Sequence, residues 1–311
     1  MAVDVSVIIT VWNGADTIAR AIESALAQDY DGFEVIAIDD GSTDGSGAAL
    51  ERYRDRVRLL HRKRGGIGAA RNEAIRYARG DFLAFLDADD LWVPEKLTRT
   101  VGPLKRDSEY TLAYSNATVI NMDGQPVGAF VRPGLAHAPT LKEMLGRYWP
   151  IVESMVVIRR SVYDASGGFC EESRVPRAAG AYYVWLRARE IGPFRYIPDH
   201  LVSYQTLPYP GYIEKNAESS QVLARLIQER YGEAASLVLK KAARRGKRQQ
   251  HRHYLSHMGL MAMREGRRDE ARRLFVRALK YGPLNMKNAL RLCRTFLPAR
   301  LARSLTGRTR S

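Results

Sequence analysis

Asp87, Asp89 and Asp90 stand at the end of a short apolar run in Asp81–Pro94, DFLAFLDADDLWVP. A strand that runs straight into three carboxylates can hold a divalent cation. Strand alternation projects Asp87 and Asp89 to one side, and hard cations such as Mg²⁺ or Mn²⁺ take oxygen ligands while keeping positions for phosphate oxygens. The same acids also read as a turn leading into a helix that starts near Pro94, so the triplet alone leaves both readings open. A second acidic turn lies upstream in Phe33–Ser46, FEVIAIDDGSTDGS, again after an apolar run. Ligands of open α/β sheets sit beyond the carboxyl ends of the strands, so Asp39, Asp40, Asp87 and Asp89 are expected to converge on one crevice. Asp40-Gly41 is also an ordinary turn pair, and Asp44 suits a helix cap.

The elements that must position these acids follow from hydrophobic periodicity. Strands are expected near 5–10, 34–39, 56–61 and 82–87, with helices near 15–28, 43–54, 66–79 and 94–105. A longer mixed region follows, with a strand or hairpin near 111–130 and helices near 140–148 and 180–191. A chain of 311 residues is long enough for one large α/β domain and a smaller appendage. The two cysteines, Cys170 and Cys293, have neither a disulfide framework nor metal-ligand spacing, which suits a reducing cytosol. A strand begins within a few residues of Met1, and no apolar run approaches the ~20 residues that span a bilayer. These features lead us to expect a cytoplasmic protein.

Three blocks in order carry a more specific signal: VSVIITVWNGADTIARAIESALAQDY, then EVIAIDDGSTDGS, then GGIGAARNEAIRYARGDFLAFLDADDLWVPEKL. Together they resemble the family 2 glycosyltransferases of GT-A fold, inverting enzymes of hexosyltransferase type that move a sugar from a nucleotide donor to an acceptor. The likeness covers residues 4 to about 100 and continues more weakly through SMVVIRRSVYDASGGFCEE and VWLRAREIGPFRYIPDHLVSY to Tyr204. It implies a Rossmann-like mixed sheet that binds a nucleotide sugar, with residues 1–105 as the nucleotide-sugar half and 106–210 as the acceptor half. By this resemblance Thr10 and Trp12 line the nucleobase pocket, the indole standing where the family often has a tyrosine. Asp40 accepts a hydrogen bond from a uracil-like ring, Asp39 lies beside it, and Arg71 lies near the base or diphosphate. Asp89 is the direct ligand of Mn²⁺ or Mg²⁺, and Asp87 meets the ribose or the ion and its water shell. Read singly, Trp12 is equally a core residue and Arg71 a helix-surface charge.

At the catalytic base the chain departs from the family. A Glu-Asp pair is expected a few residues before Trp185-Leu186-Arg187, where this sequence has Gly180-Ala181. The neighbouring block reads GGFCEE, with Cys170 in the place of a common Asp. Glu171 and Glu172 are the nearby carboxylates that could substitute, and both also read as solvated surface acids. The resemblance therefore implies a metal-dependent transferase that uses a UDP-sugar and a saccharide or lipid-linked acceptor in cell-surface polysaccharide assembly. The alternative is a catalytically impaired relative that binds nucleotide sugar or serves as an assembly subunit.

Charge is divided unevenly. Residues 215–311 hold 24 Lys and Arg against 6 Asp and Glu, a net of +18, so the +15 of the whole chain belongs to its last third. That shift, with LPYPGY at 207–212, places a boundary near residue 210 and a basic helical region over 211–311. Within it Met258–Pro283 has the pattern of one tetratricopeptide-like helix pair, too little for a solenoid. Met286–Leu305 mixes Leu, Phe and Arg in a basic amphipathic pattern that suits an anionic membrane surface, at the inner face of the cell membrane. A solvated basic face packed on the domain is the plainer reading. No zinc-finger spacing or RNA-recognition signature accompanies the charge, so no specific nucleic acid is expected.

Overall fold

The structure is a computed structural model and describes residues 3–121, 124–131, 133–146, 149, 151–171, 177–205, 223–233 and 266–282, with scattered positions elsewhere after 233. Its contacts divide the chain into one unit of residues 1–207 and 218–240 and another of 208–217 and 241–311.

In the first unit, Val5–Val11 (β1) is VSVIITV, and all seven residues are buried. A strand apolar on both faces belongs in the middle of a covered parallel sheet. Accordingly β1 lies between Phe33–Asp39 (β2) and Phe82–Asp87 (β4), parallel to both, and Arg58–His61 (β3) extends the parallel set beyond β2. The intervening helices are Ile18–Leu26 (α1), Ser46–Glu51 (α2) and Ile67–Arg76 (α3). Buried Ile18, Ala21, Ile22 and Ala25 recur at three- and four-residue spacing, which gives α1 a single apolar stripe.

The chain then passes through Leu91–Trp92 (β5), Lys96–Arg106 (α4) and the antiparallel pair Leu112–Ile120 (β6) and Pro126–Ala129 (β7). Leu141–Gly146 (α5), a 3₁₀ turn at Glu153–Met155, Val156–Arg159 (β8) and Arg160–Ser166 (α6) follow. Arg177–Ile191 (α7) and Phe194–Gln205 (β9) complete this succession. The sheet order is β3-β2-β1-β4-β8-β6-β9-β5, with β7 on β6. Because β8 runs antiparallel to both β4 and β6, the sheet is mixed, as expected. Phe85, Tyr163, Phe169 and Trp185 pack with ring centroids 5.3 to 6.5 Å apart and tie α6 and α7 to β4.

The parallel strands and their helices lie within a few residues of the positions the periodicity indicates, and the hairpin near 111–130 is the β6–β7 pair. The periodicity does not reveal β5, β8 or β9. The first two have only two and four residues. In β9 the sequence FRYIPDHLVSYQ carries Pro198 and Asp199 within the strand, and its pairing with β6 shifts register around Asn116.

In the second unit, Arg268–Leu279 (α8) begins just after Gly266, whose φ of +77° turns the chain. Ala271 and Phe275 of α8 pack with Ala262 in a small core bordered by Met263, Leu274 and Leu292. The segment 207–212 and most of Met286–Leu305 lie outside the described residues. No described helix is long and apolar enough to cross a membrane.

Candidate active site

β2, β1 and β4 run parallel in adjacent positions, so their carboxyl ends finish side by side. Val11 of β1 is in register with Asp39 of β2, and Thr10 is in register with Asp87 of β4. The acids that end β2 and β4 thus flank the end of β1 at one edge of the sheet, where an open α/β sheet binds its ligands.

One corner of this edge is built around Asp40. Its N–H donates to the Val11 carbonyl at 2.9 Å, continuing the β1–β2 pairing, and its side chain is 2% exposed. Gly41 then turns with φ +72°, so close to the next loop that a Cβ there would lie 2.6 Å from the Arg64 nitrogen. Only glycine fits such a turn and such an approach. The Asp40 carboxylate accepts hydrogen bonds from Arg64 Nη1 at 2.5 Å and from the Gly65 and Gly66 N–H groups at 2.9 Å each. Arg64 also lies with Cζ 3.8 Å from the centroid of the Trp12 ring. Trp12 is 36% exposed, whereas Trp92, Trp149 and Trp185 are buried. Thr10 Oγ1 is buried at this edge without a hydrogen-bond partner in the protein. Asp39 has a different part: Oδ1 accepts from Ser42 N–H at 2.9 Å and Ser42 Oγ–H at 2.6 Å and so holds the turn that follows β2.

The other corner is acidic. Among the described residues, Asp87, Asp89 and Asp90 form the one acidic group whose ligand atoms could share an ion, all lying within 4.8 Å of one another. Asp90 is 1% exposed; Oδ2 accepts from Ser154 Oγ–H at 2.6 Å and Oδ1 from Gln205 N–H at 3.0 Å. Burial, with the charges of Asp87 and Asp89 beside it, pushes its carboxyl well above the usual range. Asp90 thus belongs to the frame of the corner, and Asp87 and Asp89 are the oxygen donors that suit a hard cation.

Arg71 is also part of that frame, not a surface charge. Its guanidinium is 2% exposed and bridges two acids, with Nη2 donating to Asp87 Oδ1 at 2.6 Å and Nη1 to Glu153 Oε1 at 2.5 Å. Burial opposes the charge on Arg71, but the carboxylates of Glu153 and Asp87 outweigh it and hold the side chain firmly protonated. Ser154 Oγ, besides donating to Asp90, accepts the Asp87 N–H at 3.0 Å. The Ser154 carbonyl accepts Trp92 Nε1–H at 2.8 Å, and the Met155 carbonyl accepts from Lys96 Nζ at 2.8 Å. One short turn therefore supports the acidic corner from below.

Residues 6–165 match the profile of the family described as "Glycosyl transferase family 2". The chain belongs to this family. It is 40% identical over 140 residues, 44% of this chain and 40% of the relative, to the succinoglycan biosynthesis protein ExoO of Rhizobium meliloti. It is 36% identical over 131 residues, 42% of this chain and 51% of the relative, to the Escherichia coli UDP-Glc:alpha-D-GlcNAc-diphosphoundecaprenol beta-1,3-glucosyltransferase WfgD. The chain spans about half the length of these curated relatives. Among solved structures, S. aureus TarS 1–349 in complex with UDP-GlcNAc is similar with a TM-score of 0.57 and 19% identity, over 90% of this chain and 82% of that one. The fold of this family 2 chain is accordingly GT-A.

The structure brings Thr10, Trp12, Asp39, Asp40, Arg71, Asp87 and Asp89 to the expected end of the sheet. Gly180 and Ala181, where the sequence comparison leads one to expect a Glu-Asp pair, are buried on α7. Glu171 is exposed, with Oε1 accepting from Asn72 Nδ2 at 2.8 Å, and Asn72 directly follows Arg71. Glu172 lies outside the described residues. Sequence reasoning missed Arg64, Glu153 and Ser154. Glu153 carried a signal: an acid inside the apolar stretch WPIVESMVVI needs a buried partner.

Proposed function

We propose that this family 2 chain is a metal-dependent glycosyltransferase that takes a hexose from a UDP-sugar and passes it to a saccharide or lipid-linked acceptor in cell-surface polysaccharide assembly. The observation that carries this reading is that Asp39 and Asp40 at the end of β2 and Asp87 and Asp89 at the end of β4 flank the end of β1. The uridine donor is supported by the names of WfgD and the TarS complex, and the lipid-linked acceptor by that of WfgD. In this reading Trp12 stacks on the base, Asp40 accepts from its N–H edge, and Thr10 Oγ1 finds its partner on the nucleoside. Asp39 shapes the turn beneath. Asp87 and Asp89 hold Mn²⁺ or Mg²⁺, which when bound would act as a Lewis acid toward the departing nucleoside diphosphate.

Inverting transfer also needs a carboxylate to take the proton of the acceptor hydroxyl as its oxygen attacks the anomeric carbon. We assign this role to Glu171, held by Asn72, with Glu172 as its neighbour in sequence. The buried Gly180-Ala181 pair favours a second reading, a subunit that binds nucleotide sugar without turning it over. The basic last third of the chain suits an anionic membrane surface, which would bring the site to a lipid-linked acceptor.

The test is a panel of nucleotide sugars with purified protein and Mn²⁺, read as binding and as diphosphate release. We expect UDP-sugars to bind more tightly with the cation than without it and Asp89→Ala to abolish that dependence. Binding without release supports the second reading, and equal affinity with and without Mn²⁺ removes the metal assignment.

A further inference from the structure

The guanidinium of Arg71 can offer two parallel N–H groups to one carboxylate, the arrangement in which Arg grips acids most strongly. Here that grip is divided. Glu153 takes Nη1 at 2.5 Å, so Asp87 receives Nη2 alone, on Oδ1, at 2.6 Å. Both Arg71 and Glu153 are buried, at 2% and 5% exposure, while Asp87 is only partly buried. The more buried acid thus holds the arginine, and the acid at the crevice is held by one hydrogen bond on one oxygen.

The turn that carries Glu153 is itself fixed. Its neighbour Ser154 accepts the Asp87 N–H at 3.0 Å and donates to Asp90 Oδ2 at 2.6 Å, and the Ser154 and Met155 carbonyls receive Trp92 and Lys96. The backbone that carries Glu153 cannot shift away from Arg71 without moving the support of the acidic corner.

We propose that Glu153 is a positioning residue for the donor's cation: by occupying one arm of Arg71 it prevents a two-armed grip on Asp87 and keeps the second oxygen of Asp87 for the ion. The inference rests on the reading of Asp87 and Asp89 as the cation's ligands. Removing the acceptor at position 153 leaves a buried N–H of Arg71 without a partner, and the nearest relief is rotation onto Asp87. The cation site then loses an oxygen although neither of its own acids has been changed. Changes to groups that orient metal ligands typically cost about 10- to 100-fold in metal affinity.

Calorimetry of UDP binding, with and without Mn²⁺, tests this on the full chain, alongside thermal unfolding. Glu153→Leu removes the acceptor and should lower Mn²⁺-dependent UDP affinity about 10- to 100-fold, with metal-free UDP affinity unchanged within about twofold. Glu153→Gln keeps an oxygen for Nη1 and should restore Mn²⁺-dependent binding to within about threefold of the original. Glu153→Asp folds with the charge retained but draws the acceptor back, and its expected loss lies between the two; it decides the matter if Glu153→Leu does not fold. A merely structural role would lower both affinities and the unfolding temperature together, and Gln would not rescue selectively. That pattern, or Mn²⁺-dependent binding unchanged in both Glu153→Leu and Glu153→Asp, overturns the inference while leaving the cation reading intact. Absence of Mn²⁺-dependent UDP binding in the unaltered protein overturns both.

Discussion

Replacing Lys96 by methionine should make the protein more stable below neutral pH and less stable in alkali. Lys96 is fully buried at the start of α4, donates to the Met155 carbonyl at 2.8 Å, and has the Trp92 ring centroid 5.7 Å from Nζ. Burial lowers its pKa from 10.5 to about 7. Between these values the unfolded chain carries a proton that the folded chain lacks, so stability rises with pH across the window from about 7 to 10.5 and falls again as pH drops. At about 1.4 kcal/mol per pH unit, the whole window corresponds to about 5 kcal/mol that the native lysine forfeits below pH 7. Methionine has similar length and no charge, but it leaves the Met155 carbonyl without its donor, at a cost of about 1–3 kcal/mol. The difference is a gain of about 2–4 kcal/mol near pH 6 and a loss of about 1–3 kcal/mol near pH 10.5. Urea unfolding of both proteins from pH 6 to pH 10 measures it, and the two stability curves should cross between about pH 8 and pH 10. Parallel curves, or a methionine variant that is weaker at every pH, would show that Lys96 keeps a near-normal proton affinity and refute the argument.

Two further substitutions probe the edges of the site. Arg64→Ala uncovers the face of Trp12 and frees the Asp40 carboxylate of a competing cation; UDP affinity should rise about 3- to 30-fold, followed by fluorescence of the one well-exposed tryptophan, and weaker binding would mean that Arg64 serves the donor directly. Gly68→Ala drives a methyl into the Cys170 carbonyl oxygen, which should destabilise the protein by about 1–3 kcal/mol in urea unfolding; a neutral result would show that the 168–171 segment gives way freely.

Strands β1, β2 and β4 were legible because each is a local event: an apolar run of six or seven residues followed by a patterned helix, with β2 and β4 ending in acids. The convergence of Asp39 and Asp87 was legible for the same reason, since parallel neighbours of β1 must end together. What sequence did not disclose depends on pairing over long range. β8 is four residues whose place between β4 and β6 nothing local specifies, and β9 contains Pro198 and a shift of register. Arg71 was open between donor contact and surface charge because its fate depends on Glu153, 82 residues away. Arg64 sits in the run HRKRGG, where four charged or basic side chains in succession look alike until Gly41 brings one loop against the other.

The turn at Glu153–Met155 also sets where this protein can be cut and rejoined. A hybrid made at residue 105 would leave Arg71, Asp87, Asp90, Trp92 and Lys96 resting on another protein's turn. The smallest exchangeable piece that carries its own foundation runs through β8, whose antiparallel pairing with β4 seats the turn. The stretch that matches the family, residues 6–165, stops one residue short of the end of α6, just past that strand. Hybrids between relatives are therefore best joined after Ser166, where the acids keep the turn that supports them.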